Sequence, residues 1–208
     1  MTKHFLAILF DFDGTLLDSF PAHYQGYEVM LDHFGIEMTP ELYKEIYTPN
    51  WFAMYEALGI SEEQFAEADR LWLAEVARHE QALFPGVPSL LERLSASYRL
   101  GLVTAGSGAR VRRDLAAAGI GDAFEVIVTA DDITQPKPDP QGLQIALQRM
   151  DLAPQEALYV GDAREDYQMA EAAGVPFIGI TGEFSTVTSV DGCPQIGGVD
   201  ELESYLES

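Results

Sequence analysis

The pattern of apolar and polar positions divides the chain into three stretches. Residues 6–10 form an unbroken apolar run that stops at Asp11, which is typical of a buried strand in a parallel sheet. Residues 21–84 show helical periodicity alone. From residue 85 onward, helical segments alternate with short apolar runs. This alternation predicts a parallel sheet with right-handed crossovers and helices on both faces.

Each stretch can be divided into individual elements. In the middle stretch we predict four helices, at 24–34, 40–47, 51–58 and 62–82. Elsewhere we predict helices at 87–95, 110–118, 141–150, 165–173 and 200–206, and strands at 6–10, 99–104, 125–129, 157–161 and 175–180. We therefore expect an α/β core formed by residues 1–18 and 85–208, with a small all-helical domain, residues 19–84, inserted after the first strand.

The composition is that of an acidic globular protein. The chain has 208 residues, and its 34 acidic and 12 basic side chains give a formal net charge of -22. Such a charge repels nucleic acid phosphates and anionic lipids, so we expect neither nucleic acid nor a membrane as a partner. The single cysteine, Cys193, cannot form an internal disulfide, and the first apolar run is too short for a signal peptide. These features favour a cytoplasmic protein.

Asp11 and Asp13 stand where the first predicted strand ends. Carboxylates two residues apart in an extended backbone can point the same way. At that distance they repel each other and need a cation or a shared proton. Because Gly14 permits a tight turn and Mg²⁺ prefers oxygen ligands, the pair is a candidate magnesium site. An Asp-Gly turn with a second aspartate nearby is the structural alternative.

Three later segments carry polar groups suited to a phosphate or a metal. Thr104 precedes a turn of small residues, which can present a hydroxyl and backbone N–H groups to an anion, although a helix N-cap has the same sequence. Lys137 is one of three lysines and lies between prolines, which hold its backbone extended. Asp162 and Asp166 follow the fourth core strand; an acidic helix N-terminus is the alternative there.

These segments together resemble the haloacid dehalogenase (HAD) superfamily. Residues 11–15, Asp-Phe-Asp-Gly-Thr, are similar to the first motif of its phosphatases, and Thr104, Lys137 and Asp162 fall in segments similar to its later motifs. The resemblance covers the whole chain. The position of the helical insert matches the small cap of phosphatases that resemble phosphoglycolate phosphatase, so the resemblance implies a HAD-like, Rossmann-like core with a cap domain.

The resemblance also implies a mechanism: Mg²⁺-dependent hydrolysis of a phosphomonoester through an aspartyl phosphate. Asp11 is then the nucleophile and Asp13 the general acid and base. Mg²⁺ is held by the Asp11 and Asp162 carboxylates and the Asp13 carbonyl. Lys137 neutralises the phosphoryl oxygens, and Asp166 orients Lys137 or a metal-bound water.

The chain departs from the family pattern at two positions. Thr104 and the backbone of Ala105 are expected to bind phosphate, but relatives often carry Asn in place of Ala105, so one side-chain donor is lost. Ala163 stands where Ser or Thr is usual, which removes a supporting hydroxyl. Both changes leave the residues of the proposed chemistry in place.

Several other functions remain open at the level of sequence. Dehalogenases of the superfamily lack the second aspartate, here Asp13. Enzymes that cleave carbon–phosphorus bonds also lack it and use a cap lysine, for which only Lys44 is available. A β-phosphoglucomutase-like isomerase shares every core motif but needs basic cap residues, here Lys44, Arg70 and Arg78. A pyrophosphatase or nucleotidase of the same superfamily and a non-catalytic module are further alternatives. A non-catalytic module would be expected to have lost at least one motif residue.

Substrate choice is expected to depend on the cap. The candidate aromatic residues are Tyr24, Tyr47, Trp51 and Tyr55. Tyr47, Trp51 and Tyr55 recur at about one helical turn, and we expect at least half of these three to be core. The candidate polar and charged residues are His23, His79, Lys44, Arg70 and Arg78. Because the cap is strongly acidic, we expect the partner to be a small phosphorylated metabolite rather than a nucleoside polyphosphate. We expect a monomer or a dimer.

Overall fold

A computed structural model of the chain describes residues 5–207. The strands are β1 (Ala7–Phe10), β2 (Leu17–Asp18), β3 (Ala82–Leu83), β4 (Arg99–Val103), β5 (Val126–Val128), β6 (Ala157–Gly161), β7 (Phe177–Ile180) and β8 (Gln195–Ile196). The helices are α1 (Phe20–His33), α2 (Pro40–Ile46), α3 (Trp51–Ala57), α4 (Phe65–Val76), α5 (Val87–Ser95), α6 (Gly108–Ala118), α7 (Gln141–Met150), α8 (Arg164–Ala173) and α9 (Leu202–Leu206).

The main sheet has six strands in the order β5-β4-β1-β6-β7-β8, and every neighbouring pair is parallel. The predicted α/β fold is therefore confirmed. The first strand of the chain, β1, lies between β4 and β6, so the residues that follow it emerge in the middle of one sheet edge. In open sheets of this kind, ligands bind at the carboxyl ends of the strands.

Alternate residues of β1 bury their side chains in two different clusters because successive side chains of a strand point to opposite faces. Ile8 and Phe10 pack in one cluster with apolar residues of α5 and α6. Ala7 and Leu9 pack in the other with residues of α7 and α8. The helices thus cover both faces of the sheet, as predicted.

The chain divides into two compact units. One comprises the segment up to Leu17 and the segment from Leu83 onward, and the other is Asp18–Ala82. The second unit contains α1 to α4, and α1 packs against α4. Its interior is aromatic, with Tyr27 close to the rings of Tyr43, Tyr55 and Trp72.

Two parts of the element assignment were wrong. The helix predicted at 62–82 is instead a 3-10 turn, Glu62–Gln64, followed by α4, which ends at Val76. None of residues 77–82 is buried, so no apolar contact extends the helix there. In addition, the two-residue strands β2, β3 and β8 were not predicted, because two residues are too few for a recognisable apolar run. Ala82, predicted as the end of that helix, is the first residue of β3. Within residues 5–207, no helix is both long and apolar enough to cross a membrane.

Candidate active site

Asp11 lies directly beyond β1 and continues its hydrogen bonding, since its N–H donates to Val160 O at 2.8 Å. The chain then turns sharply through Gly14, whose φ of 77° is in the left-handed region that favours glycine. The turn is closed by the Gly14 N–H, which donates to Leu17 O at 2.9 Å. Asp11 and Asp13 therefore lie on a rigid loop at the middle of the sheet edge.

Lys137 is the central cation of this edge. Its Nζ donates to Asp11 Oδ1 at 2.6 Å, to Asp166 Oδ1 at 2.7 Å and to Tyr159 Oη at 2.9 Å. These three bonds use all the N–H donors of an ammonium group. The residue is 3% exposed, so its charge is largely shielded from water. The structure thus brings Lys137 together with Asp11, 126 positions away in the chain, and with Asp166, 29 positions away.

Tyr159 is a site residue that the sequence reasoning missed. It lies inside β6 and is fully buried, and a tyrosine in an apolar run gives no sequence signal of a polar role. Its Oη accepts from Lys137 and lies 3.0 Å from both Asp166 Oδ1 and Val103 O. The hydroxyl donates its single hydrogen to one of these two oxygens and thereby fixes the position of the Lys137 ammonium.

Burial shifts the protonation equilibria of the site. Loss of hydration raises the pKa of Asp11 to about 7; Lys137 opposes this shift, and the charges of Asp166 and Asp13 add to it. Burial, with Asp166 and Asp11 nearby, also raises the pKa of Asp162 well above its usual value. Burial alone would lower the pKa of Lys137, but Asp11 and Asp166 more than compensate and raise it. The negative charge of the carboxylates in this cluster thus exceeds the positive charge that Lys137 supplies.

The carboxylates of Asp11, Asp162 and Asp166 fit a divalent cation. Each offers an oxygen, and these three oxygens lie within 4.8 Å of one another in buried surroundings. Asp162 Oδ1 accepts from Thr15 Oγ1 at 3.2 Å, whereas its buried Oδ2 has no hydrogen-bond partner among the described residues. A buried carboxylate oxygen without a donor is costly unless a cation binds it.

Asp166 is engaged differently from the other two carboxylates. Its Oδ1 accepts from Lys137 and its Oδ2 accepts from the Ala163 N–H at 3.0 Å. Both oxygens are therefore occupied by protein donors. This geometry suits the orienting role expected for Asp166 toward Lys137 and leaves Asp11 and Asp162 as the better cation ligands.

The loop after β7 holds the backbone of Asp162. The Asp162 carbonyl accepts from Thr186 N–H at 3.1 Å, Val187 N–H at 3.0 Å and Ser185 Oγ at 2.8 Å. None of these residues was singled out from the sequence, because Thr186 and Val187 act through backbone N–H groups and Ser185 belongs to no recognisable motif. Together they set the direction in which the Asp162 carboxylate projects.

Thr104 follows β4 and is buried. Its N–H donates to Val128 O at 3.0 Å, and its Oγ1 accepts from the Gly106 N–H at 3.2 Å. Thr104, Ala105 and Lys137 line the same small cavity. Thr104 and Ala105 therefore lie beside the same cavity as the central ammonium, and their binding of phosphate stays a prediction.

Asp13 forms an ion pair that the sequence did not reveal. Arg110 Nη1 donates to Asp13 Oδ1 at 3.0 Å, and Arg110 Nη2 contacts Asp13 Oδ2, so the pair is bidentate. The Arg110 side chain is only 4% exposed. The available signal was the concentration of Arg110, Arg112 and Arg113 in a chain with 12 basic residues.

The candidate substrate residues belong to the helical unit. Tyr24, Tyr47 and Trp51 are partly buried and contact other aromatic rings. Tyr55 is buried, with a relative exposure of 1%, and is a core residue of this unit.

The cations Lys44, Arg70 and Arg78 are exposed. Glu75 accepts from Arg78 at 2.7 Å and lies 3.1 Å from His79, and the His23 ring packs on Trp72. Their part in substrate selection stays a prediction.

Known proteins resemble this chain in sequence and in structure. The sequence model of the haloacid dehalogenase-like hydrolases matches residues 8–180. Pyrophosphatase PpaX of Bacillus velezensis is 34% identical over 86% of this chain and 84% of its own length. Phosphoglycolate phosphatase of Yersinia pseudotuberculosis is 32% identical over 86% of this chain and 82% of its own. A solved structure from Lactobacillus plantarum, proposed to be a phosphoglycolate phosphatase, superposes with a TM-score of 0.88 at 29% identity, covering 97% of this chain and 99% of that chain.

Proposed function

Because this chain belongs to the haloacid dehalogenase-like hydrolase family, we propose that it is a Mg²⁺-dependent phosphatase that forms an aspartyl phosphate on Asp11. The observation that carries the proposal is the buried Asp11 carboxylate, with Lys137 on one oxygen and the unpartnered Asp162 Oδ2 in the same cluster. The similarity to phosphoglycolate phosphatases supports the choice of a phosphatase within the family.

The reaction proceeds in two displacements at phosphorus. An oxygen of Asp11 attacks, the bond from phosphorus to the ester oxygen breaks, and that oxygen leaves with the electron pair and takes a proton from Asp13. Water then attacks the aspartyl phosphate and gives a proton to Asp13 while the bond to Asp11 breaks. Inorganic phosphate leaves, and both carboxylates return to their starting states.

Asp11 and Asp162 would hold the magnesium ion with their carboxylates, together with the backbone carbonyl of Asp13. The ion supplies positive charge that reduces the repulsion between the Asp11 carboxylate and a phosphate dianion. Lys137 adds a second positive charge from the protein itself. Thr104 and the N–H group of Ala105 bind the phosphoryl oxygens.

The acidity of the helical unit favours a small substrate. Among its residues are Glu37, Glu41, Glu45, Glu56, Glu62, Glu63, Glu67, Asp69, Glu75 and Glu80. A polyphosphate would meet an unfavourable potential near these groups, whereas a monophosphate of a sugar, polyol or short acid carries less charge. We therefore propose small phosphomonoesters, phosphoglycolate among them, as the substrate class. Phosphoglycolate needs a cation for its carboxylate, for which Lys44, Arg70 and Arg78 are the cap candidates.

Pyrophosphate is the second candidate substrate. It is favoured by one observation, the 34% identity to a pyrophosphatase over 86% of this chain. The core residues of the proposed mechanism serve a phosphoanhydride as well as a phosphoester. Only the charge of the helical unit argues against it.

The test compares kcat/KM for phosphoglycolate, sugar monophosphates, nucleoside monophosphates and pyrophosphate at one Mg²⁺ concentration. We expect a small phosphomonoester to be the best substrate. A clear preference for pyrophosphate or a nucleotide would refute the argument from charge and leave the hydrolase assignment intact. Absence of Mg²⁺-stimulated release of phosphate from every compound would refute the proposed function itself. A cytoplasmic location and a monomeric or dimeric state are further parts of the proposal.

A further inference from the structure

Arg110 is a buried cation that the mechanism above does not use. It lies in the first turn of α6, and its guanidinium contacts both carboxylate oxygens of Asp13. In a chain with a formal net charge of -22, exposed carboxylates are plentiful as partners. The pairing of this arginine with the proposed acid and base residue therefore needs an explanation.

The guanidinium of Arg110 is held on several sides. Its Nη1 also donates to Asp114 Oδ2 at 3.3 Å, and Asp114 Oδ1 accepts from Arg113 Nε at 2.8 Å. A Cβ atom at Gly106 would approach Arg110 Nη2 to 2.2 Å, so only glycine leaves room for the guanidinium at that point. Besides Asp13, therefore, both Asp114 and the backbone at Gly106 restrict where the planar fork can lie.

A fixed bidentate fork restrains the carboxylate that it binds. Two parallel hydrogen bonds define the plane of the carboxylate, whereas one bond to a point charge leaves it free to rotate. Proton transfer depends on such restraint, because a misplacement of about 1 Å can lower the rate by about 10²-fold.

We infer that Arg110 is the positioning residue of Asp13: its buried guanidinium fork, which also contacts Asp114, fixes the orientation of the Asp13 carboxyl group. The fork occupies one lone pair of each oxygen, and a remaining lone pair carries the proton that Asp13 exchanges with the leaving group and with water. The inference rests on the proposed function, since it assumes that Asp13 is the acid and base. Arg110 acts through Asp13 and does not itself take part in bond making or breaking.

The test uses two substrates that differ in their need for an acid. An alkyl phosphate such as glycerol phosphate needs a proton on its leaving oxygen, whereas p-nitrophenyl phosphate releases a stable anion. The value of kcat/KM reports on the first displacement, in which this difference matters. For Arg110→Met we expect a loss of about 10²-fold in kcat/KM with the alkyl phosphate and a change of only a few fold with p-nitrophenyl phosphate.

Two further variants make the result specific. Arg112→Met removes an exposed arginine of the same helix and should leave both values unchanged. Arg110→Lys keeps the charge but not the fork, so its loss should be smaller, about tenfold, and again confined to the alkyl phosphate. Thermal unfolding checks each variant, and Arg110→Lys carries the test if Arg110→Met does not fold.

A double-mutant cycle completes the design. In an Asp13→Asn background, Arg110→Met should cause no further loss with the alkyl phosphate, because the residue it positions is already disabled. Equal losses with both substrates, additive losses in the cycle, or no loss in Arg110→Met and Arg110→Lys would each overturn the inference. If the wild-type protein hydrolyses neither substrate, the proposed function fails instead, and the two failures are thereby distinguished.

Discussion

Replacement of Lys137 by methionine should nearly silence the enzyme. The side chain is 3% exposed and donates to Asp11, Asp166 and Tyr159. Methionine keeps much of the aliphatic stem but removes the charge and all three donors. The expected defect is therefore electrostatic: Asp11 would have to approach a phosphate dianion without the ammonium that contacts it at 2.6 Å.

The size of the effect follows from this geometry. Two unit charges about 4 Å apart interact with about 4 kcal/mol at an effective dielectric constant of about 20. Loss of one donor to a transition-state oxyanion typically lowers kcat by about 10²–10³, or about 2.7–4 kcal/mol. Removal of one partner from a buried ion pair also costs about 3–5 kcal/mol of stability. We expect kcat to fall about 10³-fold and the unfolding temperature to fall as well.

The assay measures kcat and KM for one phosphomonoester with saturating Mg²⁺, alongside thermal unfolding. Arg93→Met, which removes an exposed partner of Glu203, is the matched control for loss of a cation. The double variant Lys137→Met with Asp166→Asn should recover stability, because one buried charge is gone, but not activity. Near-normal turnover of Lys137→Met would refute the assignment of Lys137 to the phosphoryl group.

Removal of divalent ions with a chelator should abolish phosphate release, Mg²⁺ should restore it, and Ca²⁺ should inhibit because its coordination is larger and looser; full activity in chelator would instead favour dehalogenase-type chemistry. In Asp162→Ala, the Mg²⁺ concentration needed for half-maximal activity should rise steeply, whereas Asp166→Ala should mainly lower kcat. A raised Mg²⁺ requirement in Asp166→Ala and not in Asp162→Ala would contradict the ligand assignment. Without Mg²⁺, thermal stability should fall as the pH rises from about 4 to about 7, because the pKa of Asp11 is raised from 3.8 to about 7 and the folded protein therefore binds a proton that the unfolded chain has lost. Asp11→Asn should weaken this dependence.

The core of the fold and the carboxylate cluster could be predicted because local patterns encode them. The apolar run before Asp11 predicts a buried strand, and the parallel topology then brings the ends of β1 and β6 to one edge. Asp11 and Asp162 follow these two adjacent strands. Their approach in space therefore follows from strand order once the sheet is assumed.

The supporting contacts could not be predicted in the same way. Tyr159 occupies an apolar strand, where a tyrosine is indistinguishable from a core residue until its hydroxyl is seen beside Lys137. Arg110 belongs to a basic helix segment, which would ordinarily be solvent-exposed. Both roles depend on partners far away in the chain, 22 positions for Tyr159 with Lys137 and 97 for Arg110 with Asp13.

The end of α4 shows a different limit. Helical periodicity in the sequence extends past Val76, but burial does not. Because most helical stability in proteins comes from packing of an apolar face, the helix stops where its contacts stop. The aromatic residues of the helical unit present a similar problem. Helical periodicity alone does not distinguish a core residue, such as Tyr55, from a residue that contacts a ligand.

Formation of an aspartyl phosphate on Asp11 is the central claim, and acid quenching tests it directly. The Asp13→Asn variant is mixed with ³²P-labelled p-nitrophenyl phosphate, whose leaving group needs no acid, so the first displacement proceeds while the loss of the base slows the second. We predict that label remains on the protein in proportion to the nitrophenolate released and maps to the peptide containing Asp11. The double variant Asp11→Asn with Asp13→Asn should carry no label. Release of nitrophenolate with the label only in free phosphate would contradict the account.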